Sequence, residues 1–159
     1  MAIYMQFAGI DGSVTAKGFE KQIELSSLQF GVGRAISMDS GNAANRSHGR
    51  PSLSEITVTK QMENSSFGLL KEALSGNAGK KVKISVVEVN ADQLKEYVVY
   101  ELEEVLISGY SVSTAGDIPS ESISLSYAKI TASFTAADKG NKMAGQLRVG
   151  YDLATAKAS

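Results

Sequence analysis

Apolar and polar residues alternate along most of the chain with a period of two residues. Segments 3–7, 19–25, 56–62, 82–86 and 147–153 each place apolar side chains at every second position. Successive side chains of a β-strand point to opposite faces, so this pattern is typical of strands that bury one face. The sequence therefore predicts a mostly β fold.

The apolar series changes phase at three points, which are Ser26-Ser27, Glu103-Glu104 and Ala128-Lys129. A slip of one residue turns every later side chain to the other face of the sheet. Extra residues of this kind form β-bulges, which bend long strands. Because bent strands either close a sheet into a barrel or pack two sheets orthogonally, the sequence predicts long bent strands in one of these two arrangements.

One segment has helical spacing instead. In residues 66–75, Phe67, Leu70 and Leu74 are spaced i, i+3, i+7 and would form one apolar face of a helix. We predict one short α-helix flanking the barrel. Since so short a helix is not stable alone, Leu70 and Leu74 are expected to face the barrel and anchor it.

The longest segment without periodicity runs from Gly33 to Pro51. Hairpins usually need only about 2–5 residues to join two strands, and longer loops are often functional. We therefore predict a long extended loop that contacts a partner; the alternative is a surface loop with no partner. The candidate contact residues are Arg34, Asp39, Asn42, Asn45, Arg46, His48 and Arg50.

Carboxylates are concentrated between Glu88 and Glu104, where Lys95 is the one cation. The long loop leans basic, so one copy of the chain could complement the charge of another. The simpler interpretation is a solvated strand surface. The candidate residues at a subunit contact are Glu96, Glu101, Glu103 and Glu104.

Composition argues against several classes of function. The chain has 159 residues, a length typical of one domain spanning 1–159, and its net charge of -1 does not favour nucleic-acid binding. No apolar run approaches the ~20 residues of a membrane span. With no cysteine and a single histidine, we expect no metal site, and no arrangement of nucleophile and base indicates an enzyme or a cofactor. The first twelve residues lack the features of a signal peptide.

The order and spacing of six segments resemble the haemolysin-coregulated protein family, the inner-tube subunits of bacterial type VI secretion systems. Family members often carry tryptophan in the second strand and the C-terminal motif, whereas this chain has none. The matching segments are Met1–Gly12 (MAIYMQFAGIDG), Ile23–Gly33 (IELSSLQFGVG), Ile56–Leu74, Tyr97–Ser113 (YVVYELEEVLISGYSVS), Glu121–Ala132 (ESISLSYAKITA) and Gly150–Leu153 (GYDL).

The resemblance implies a two-sheet β-barrel with a flanking helix. It also implies a homohexameric ring with an open lumen, and a stack of rings similar to a phage tail tube. It implies a spike protein at the tip, a contractile sheath around the tube and effector proteins in the lumen as partners. It also implies synthesis in the bacterial cytoplasm and export without a signal peptide. The long loop, 37–50, is then expected to contact the next ring. A second hypothesis is a carrier ring whose main role is to hold an effector.

Overall fold

The computed structural model of the protein describes residues 1–36, 40–41, 48–90, 92–137 and 143–159. Within these ranges the chain forms strands along most of its length and a helix between the sixth and seventh strands. In chain order the elements are β1 (Ala2–Phe7), β2 (Ile23–Leu25), β3 (Ser27–Gln29), β4 (Val32–Ile36), β5 (His48–Leu53), β6 (Ile56–Gln61), α1 (Ser66–Ser75), β7 (Lys80–Asn90), β8 (Gln93–Ser113), β9 (Ser120–Ser126), β10 (Lys129–Ala137), β11 (Met143–Asp152) and β12 (Lys157–Ala158).

Two antiparallel sheets share the long strand β8. The larger sheet has the order β12-β11-β10-β8-β7-β1-β2, and the smaller one joins β3, β6 and β9 to the C-terminal half of β8. The mostly β, two-sheet prediction is therefore confirmed. The term barrel applies only loosely, because the larger sheet is not closed. Its two edge strands, β2 and β12, do not pair with each other.

Each predicted slip in the apolar pattern falls where the chain passes between the two sheets. The slip at 26–27 separates β2, which pairs with β1, from β3, which pairs with β6. The slip at 128–129 separates β9 in the smaller sheet from β10 in the larger one. The third slip lies inside β8, where pairing with β10 gives way to pairing with β9 and Glu104 has a left-handed φ of 57°.

The main core lies between the sheets, and a small second cluster lies on the outer face of the larger sheet. In this second cluster Phe19 packs against Tyr4, with ring centroids 5.0 Å apart. The strand expected over 19–25 is only Ile23–Leu25, because Gly18 and Lys21 have φ values of 89° and 63° and turn the chain before it. The main core contains Met5, Phe7, Ile23, Leu25, Ile56, Val58, Leu69, Val82, Ile84, Leu102, Val105, Ile123, Leu125, Tyr127 and Ile130.

The segment expected to be an irregular loop from Gly33 to Pro51 begins and ends as strands. β4 and β5 form a separate two-stranded sheet, in which Pro51 lies opposite Arg34. All five residues of β4 are exposed. Because β4 buries neither of its faces, its sequence has no apolar alternation, and the strand could not be predicted from that pattern. Pro51 is tolerated in β5 because, among the described residues, β5 pairs with β4 along one edge only.

Candidate assembly surfaces

Helix α1 has the predicted bounds but presents a different face to the core. Leu69 is fully buried, whereas Phe67 is 73% exposed and Leu74 is 79% exposed. Leu70 is half-buried. The expectation that Leu70 and Leu74 anchor the helix is therefore wrong, because the buried side chain of Ser66 turns the helix so that Leu69 faces inward.

Ser66 belongs to a buried polar cluster built around an ion pair between Lys60 and Glu121. Both side chains are 0% exposed, and the two residues are direct partners on the neighbouring strands β6 and β9. The Ser66 hydroxyl accepts a hydrogen bond from Lys60 Nζ at 3.2 Å and donates one to Glu121 Oε2 at 3.0 Å. Tyr110 of β8 donates to Glu121 Oε1. Burial and this hydrogen bond to a carboxylate raise the pKa of Tyr110.

Glu63 extends the cluster to the N-terminal loop. Its carboxylate lies 3.4 Å from Lys60 Nζ and accepts hydrogen bonds from the backbone N–H groups of Ser13 at 2.8 Å and Ser65 at 2.9 Å. Burial raises the pKa of Glu63, but the hydrogen bonds from Ser65 and Ser13 and the charge of Lys60 outweigh it, so the pKa lies below 4.5. The cluster therefore fixes the start of α1 to two strands and to the loop.

The sequence analysis did not predict the Lys60–Glu121 ion pair, although the alternation of apolar and polar residues in β6 and β9 contains a signal for it. Lys60 occupies the position between Val58 and Met62 that the period of two assigns to the buried face of β6. Glu121 likewise begins the inward series that continues with Ile123. A lysine and a glutamate in inward positions of two strands are compatible with burial only when they are paired.

The inner face of the larger sheet extends beyond the part that the smaller sheet covers. The uncovered part forms a shallow groove of about 350 Å³. Phe134 is 44% exposed, Leu147 is 74% exposed and Val149 is 65% exposed, although they continue the same face as buried Ile130. We call this surface the open inner face, and it comprises Val98, Tyr100, Ala132, Phe134, Leu147 and Val149.

Apart from the small cluster around Tyr4 and Phe19, the outer face of the same sheet is polar, and it carries two of the four acidic candidates. Glu96 pairs with Lys83 at 3.2 Å and accepts a hydrogen bond from Ser85 at 3.0 Å. Glu101 lies 4.0 Å from Arg148, and both side chains are more than half exposed. Since exposed pairs contribute little to stability, this face is a solvated surface of mixed charge in the isolated subunit.

The other two acidic candidates and the loop candidates do not meet within one chain. Glu103 and Glu104 are exposed at the bend of β8. Arg34 and Arg50 are exposed on β4 and β5, and within the described ranges no ion pair joins them to β8. His48 is the first residue of β5. Asp39, Asn42, Asn45 and Arg46 lie outside the described residues.

The structure also bears on metal binding and membrane insertion. In the part of the chain that the structure describes, no three His, Cys, Asp or Glu residues are grouped so that they could hold a metal ion. Over the same part, no helix has the length and apolar character needed to cross a membrane.

Known structures share this fold over nearly the whole chain. A structure described as "Structure of a type six secretion system protein" is 25% identical, covers 99% of both chains and has a TM-score of 0.91. Hcp1 from Salmonella typhimurium is 19% identical, covers 99% of this chain and 98% of its own, and has a TM-score of 0.80. A type VI secretion system effector from Yersinia pestis is 18% identical, covers 94% of this chain and 98% of its own, and has a TM-score of 0.72.

Sequence comparison gives the family. A search of curated proteins returned no significant match. The family model described as "Type VI secretion system effector, Hcp" matches residues 4–134, which is well over half of the chain. The match includes the smaller sheet, the helix, the buried ion pair and the larger sheet as far as β10. The chain therefore belongs to the Hcp family of the type VI secretion system.

Proposed function

We propose that this chain is the structural subunit of a type VI secretion inner tube, in which six copies form a ring around an open lumen. The open inner face is the observation that supports a ring most directly. It continues the core-facing side of the larger sheet, yet among the described residues no element covers Phe134, Leu147 or Val149. Contiguous exposed apolar surface of this kind is typical of a protein–protein contact, so a neighbouring copy is expected to bury it.

The ring is proposed to stack into a tube that is expelled with a spike protein from inside a contractile sheath. Effector proteins would travel in its lumen. Made in the bacterial cytoplasm, the chain would leave the cell by this route. No catalytic group is assigned, because this role requires assembly and passage of cargo rather than chemistry.

The carrier hypothesis is a second candidate for the function, and microscopy separates it from the tube. We expect negative-stain images of the purified subunit to contain annular particles without any effector present. If annular particles form only when an effector is added, the chain acts mainly as a carrier. Rings that form in both samples with the same abundance support the tube.

The β4–β5 hairpin is proposed to contact the next ring in the stack. β4 is exposed along its whole length, and within the described residues the hairpin pairs with no strand of either large sheet, so a partner can reach it. Arg34 and Arg50 give it positive charge, which could meet exposed Glu103 or Glu104 of a neighbouring ring.

Replacing Asp39–Ser47 with a short Gly-Ser linker is expected to leave rings intact but to abolish tube stacking and secretion. The strands of both large sheets are unchanged in this variant, so ring formation serves as its internal control. Electron microscopy measures stacking, and immunoblotting of the culture medium measures secretion. Normal secretion by this variant would refute the stacking role of the hairpin.

A further inference from the structure

The buried pair of Lys60 and Glu121 places an amine directly against a carboxyl group. The two residues are partners on β6 and β9, both side chains are 0% exposed, and Lys60 Nζ contacts Glu121 Oε2. An amine and a carboxyl group can condense to an amide with release of water. Two groups that a folded protein holds in reacting position act at a very high effective concentration, so such a condensation can proceed without an enzyme.

Three neighbouring groups surround the pair in the positions that this condensation needs. Tyr110 donates its hydroxyl to Glu121 Oε1. The Ser66 hydroxyl lies between the two reacting groups, because it accepts from Lys60 Nζ at 3.2 Å and donates to Glu121 Oε2 at 3.0 Å. The Glu63 carboxylate lies 3.4 Å from the same nitrogen. The buried carboxyl group therefore has a donor on each oxygen, and the amine has a second carboxylate beside it.

The protonation states of Tyr110 and Glu63 suit these positions. Burial raises the pKa of Tyr110, so its hydroxyl keeps its proton at neutral pH. Burial also raises the pKa of Glu63, but hydrogen bonds from Ser65 and Ser13 outweigh it and bring the pKa below 4.5, so Glu63 is charged at neutral pH. A hydrogen-bond donor is thus fixed at Glu121 Oε1, and a negative charge is fixed beside the lysine nitrogen.

The surroundings of the pair favour an amide over the two separate groups. Removing two charges from water carries a large desolvation cost, whereas an amide at the same place carries no net charge. Exclusion of water also protects an amide from hydrolysis. The side chain of Glu63 is 16% exposed and borders a groove of about 330 Å³, which offers the released water a way out.

We propose that Lys60 and Glu121 form an intramolecular isopeptide bond, an amide that links the side chains of β6 and β9. The ion pair is the reactant of this step, and the folded chain modifies itself once rather than turning over a substrate. The step does not depend on the proposed ring, so it goes beyond the proposed function. Condensation changes no oxidation state, and it therefore needs no oxidant or reductant.

The step begins when one proton passes from Lys60 Nζ to Glu121 Oε2, which leaves a neutral amine and a neutral acid. The nitrogen lone pair then attacks Glu121 Cδ, and negative charge develops on Oε1, where the Tyr110 hydroxyl stabilises it. The Glu63 carboxylate stabilises the positive charge that forms on the nitrogen. Ser66 takes a second proton from the nitrogen and passes its own proton to Oε2, which leaves as water while the carbonyl double bond re-forms.

Mass spectrometry of the intact, denatured chain tests the bond. Folded wild-type protein is expected to be lighter than its sequence by the mass of one water molecule, and a proteolytic digest is expected to contain a branched peptide that joins Lys60 to Glu121. Lys60→Met is expected to have its full mass. Full mass in the wild type would overturn the proposal. A loss of water that persists in Lys60→Met would overturn it too, because that water must come from another site, such as a succinimide at Asp11.

The rate of bond formation tests the role of Tyr110. Chains recovered from inclusion bodies in urea are refolded, and the loss of water is followed over time by intact mass. Tyr110→Phe removes the donor at Glu121 Oε1 and is expected to slow this loss by at least about tenfold, because a donor to a developing oxyanion has an effect of this size or larger. Both variants of this experiment are checked for folding by circular dichroism.

The matched control is Tyr127→Phe, which removes another inward-facing tyrosine hydroxyl. That hydroxyl donates to the backbone oxygen of Ser54 at 2.8 Å and takes no part in the cluster around Lys60. Tyr127→Phe is therefore expected to lose water at the wild-type rate. If the two phenylalanine variants lose water equally fast, the mechanism assigned to Tyr110 is overturned.

Discussion

Replacing Lys60 with methionine is expected to destabilise the folded subunit by about 3–5 kcal/mol, because it leaves a buried carboxylate without its cation. Glu121 is fully buried, and Ser66 and Tyr110 are placed to donate to its charged form. Methionine has a similar length and fills the space of the lysine stem, so the loss reflects charge rather than a cavity. Urea denaturation, followed by circular dichroism, measures the free energy of unfolding.

The matched control for this variant is Lys83→Met, which removes a lysine from a partly exposed pair with Glu96. Exposed pairs contribute about 0–1 kcal/mol, so a small change is expected there. Adding Glu121→Leu to Lys60→Met is expected to recover part of the lost stability, since the unpaired charge is removed. If Lys60→Met unfolds at the same urea concentration as Lys83→Met, the buried pair does not have the role described here.

The cluster also makes stability depend on pH. The pKa of Glu63 in the folded subunit is lowered below 4.5 by its hydrogen bonds and by Lys60, which outweigh the effect of burial. A lowered folded-state pKa means that the contribution of Glu63 is fully present above its unfolded pKa and is lost as the pH falls through the folded value. Acid should therefore weaken the attachment of the N-terminal loop to the start of α1.

Replacing Leu147 with lysine is expected to convert the hexamer to monomers without unfolding the subunit. Leu147 is 74% exposed in the isolated chain, so the lysine costs little stability there. In the ring, the same position would place an unpaired charge in a desolvated apolar contact, which should weaken assembly by at least about a hundredfold. Size-exclusion chromatography with light scattering measures the oligomer.

The control for Leu147→Lys is Gln146→Lys, which introduces a lysine at the neighbouring position on the opposite face of β11. Gln146 is exposed and lies on the polar outer face, so this variant is expected to remain hexameric. A hexameric Leu147→Lys variant would show that the open inner face is not buried in the ring. Unfolding of Leu147→Lys, checked by circular dichroism, would show that the residue supports the subunit itself.

The sequence predicted those parts of the fold that depend on local alternation. The phase slips at 26–27, 103–104 and 128–129 marked three of the places where the chain changes sheets, because a strand that changes sheet must re-aim its side chains. Hairpin β4–β5 was not predicted, since neither of its faces is buried and its backbone pairing leaves no apolar pattern.

The orientation of α1 could not be predicted from its own residues. Phe67, Leu70 and Leu74 formed a more apolar face than Ser66 and Leu69, yet the second face is buried. Tertiary contacts decided the orientation, because Ser66 completes the hydrogen bonds of the Lys60–Glu121 pair. Phe67 and Leu74 then remain exposed, where they are available to another copy.

The open inner face also required the structure. Leu147 and Val149 have the alternation of any half-buried strand, and the sequence does not indicate that the smaller sheet stops before it covers them. Charge and loop length indicate candidate contact residues, but they do not reveal uncovered apolar surface. The resemblance predicted the family correctly, because the order and spacing of its segments extend along most of the chain.

Native mass spectrometry of the wild-type subunit at micromolar concentration tests the proposed ring most directly, because it counts the chains in each particle. A hexameric ring predicts a dominant species with the mass of six 159-residue chains and no bound cofactor. A single sharp monomer peak under the same conditions would contradict it.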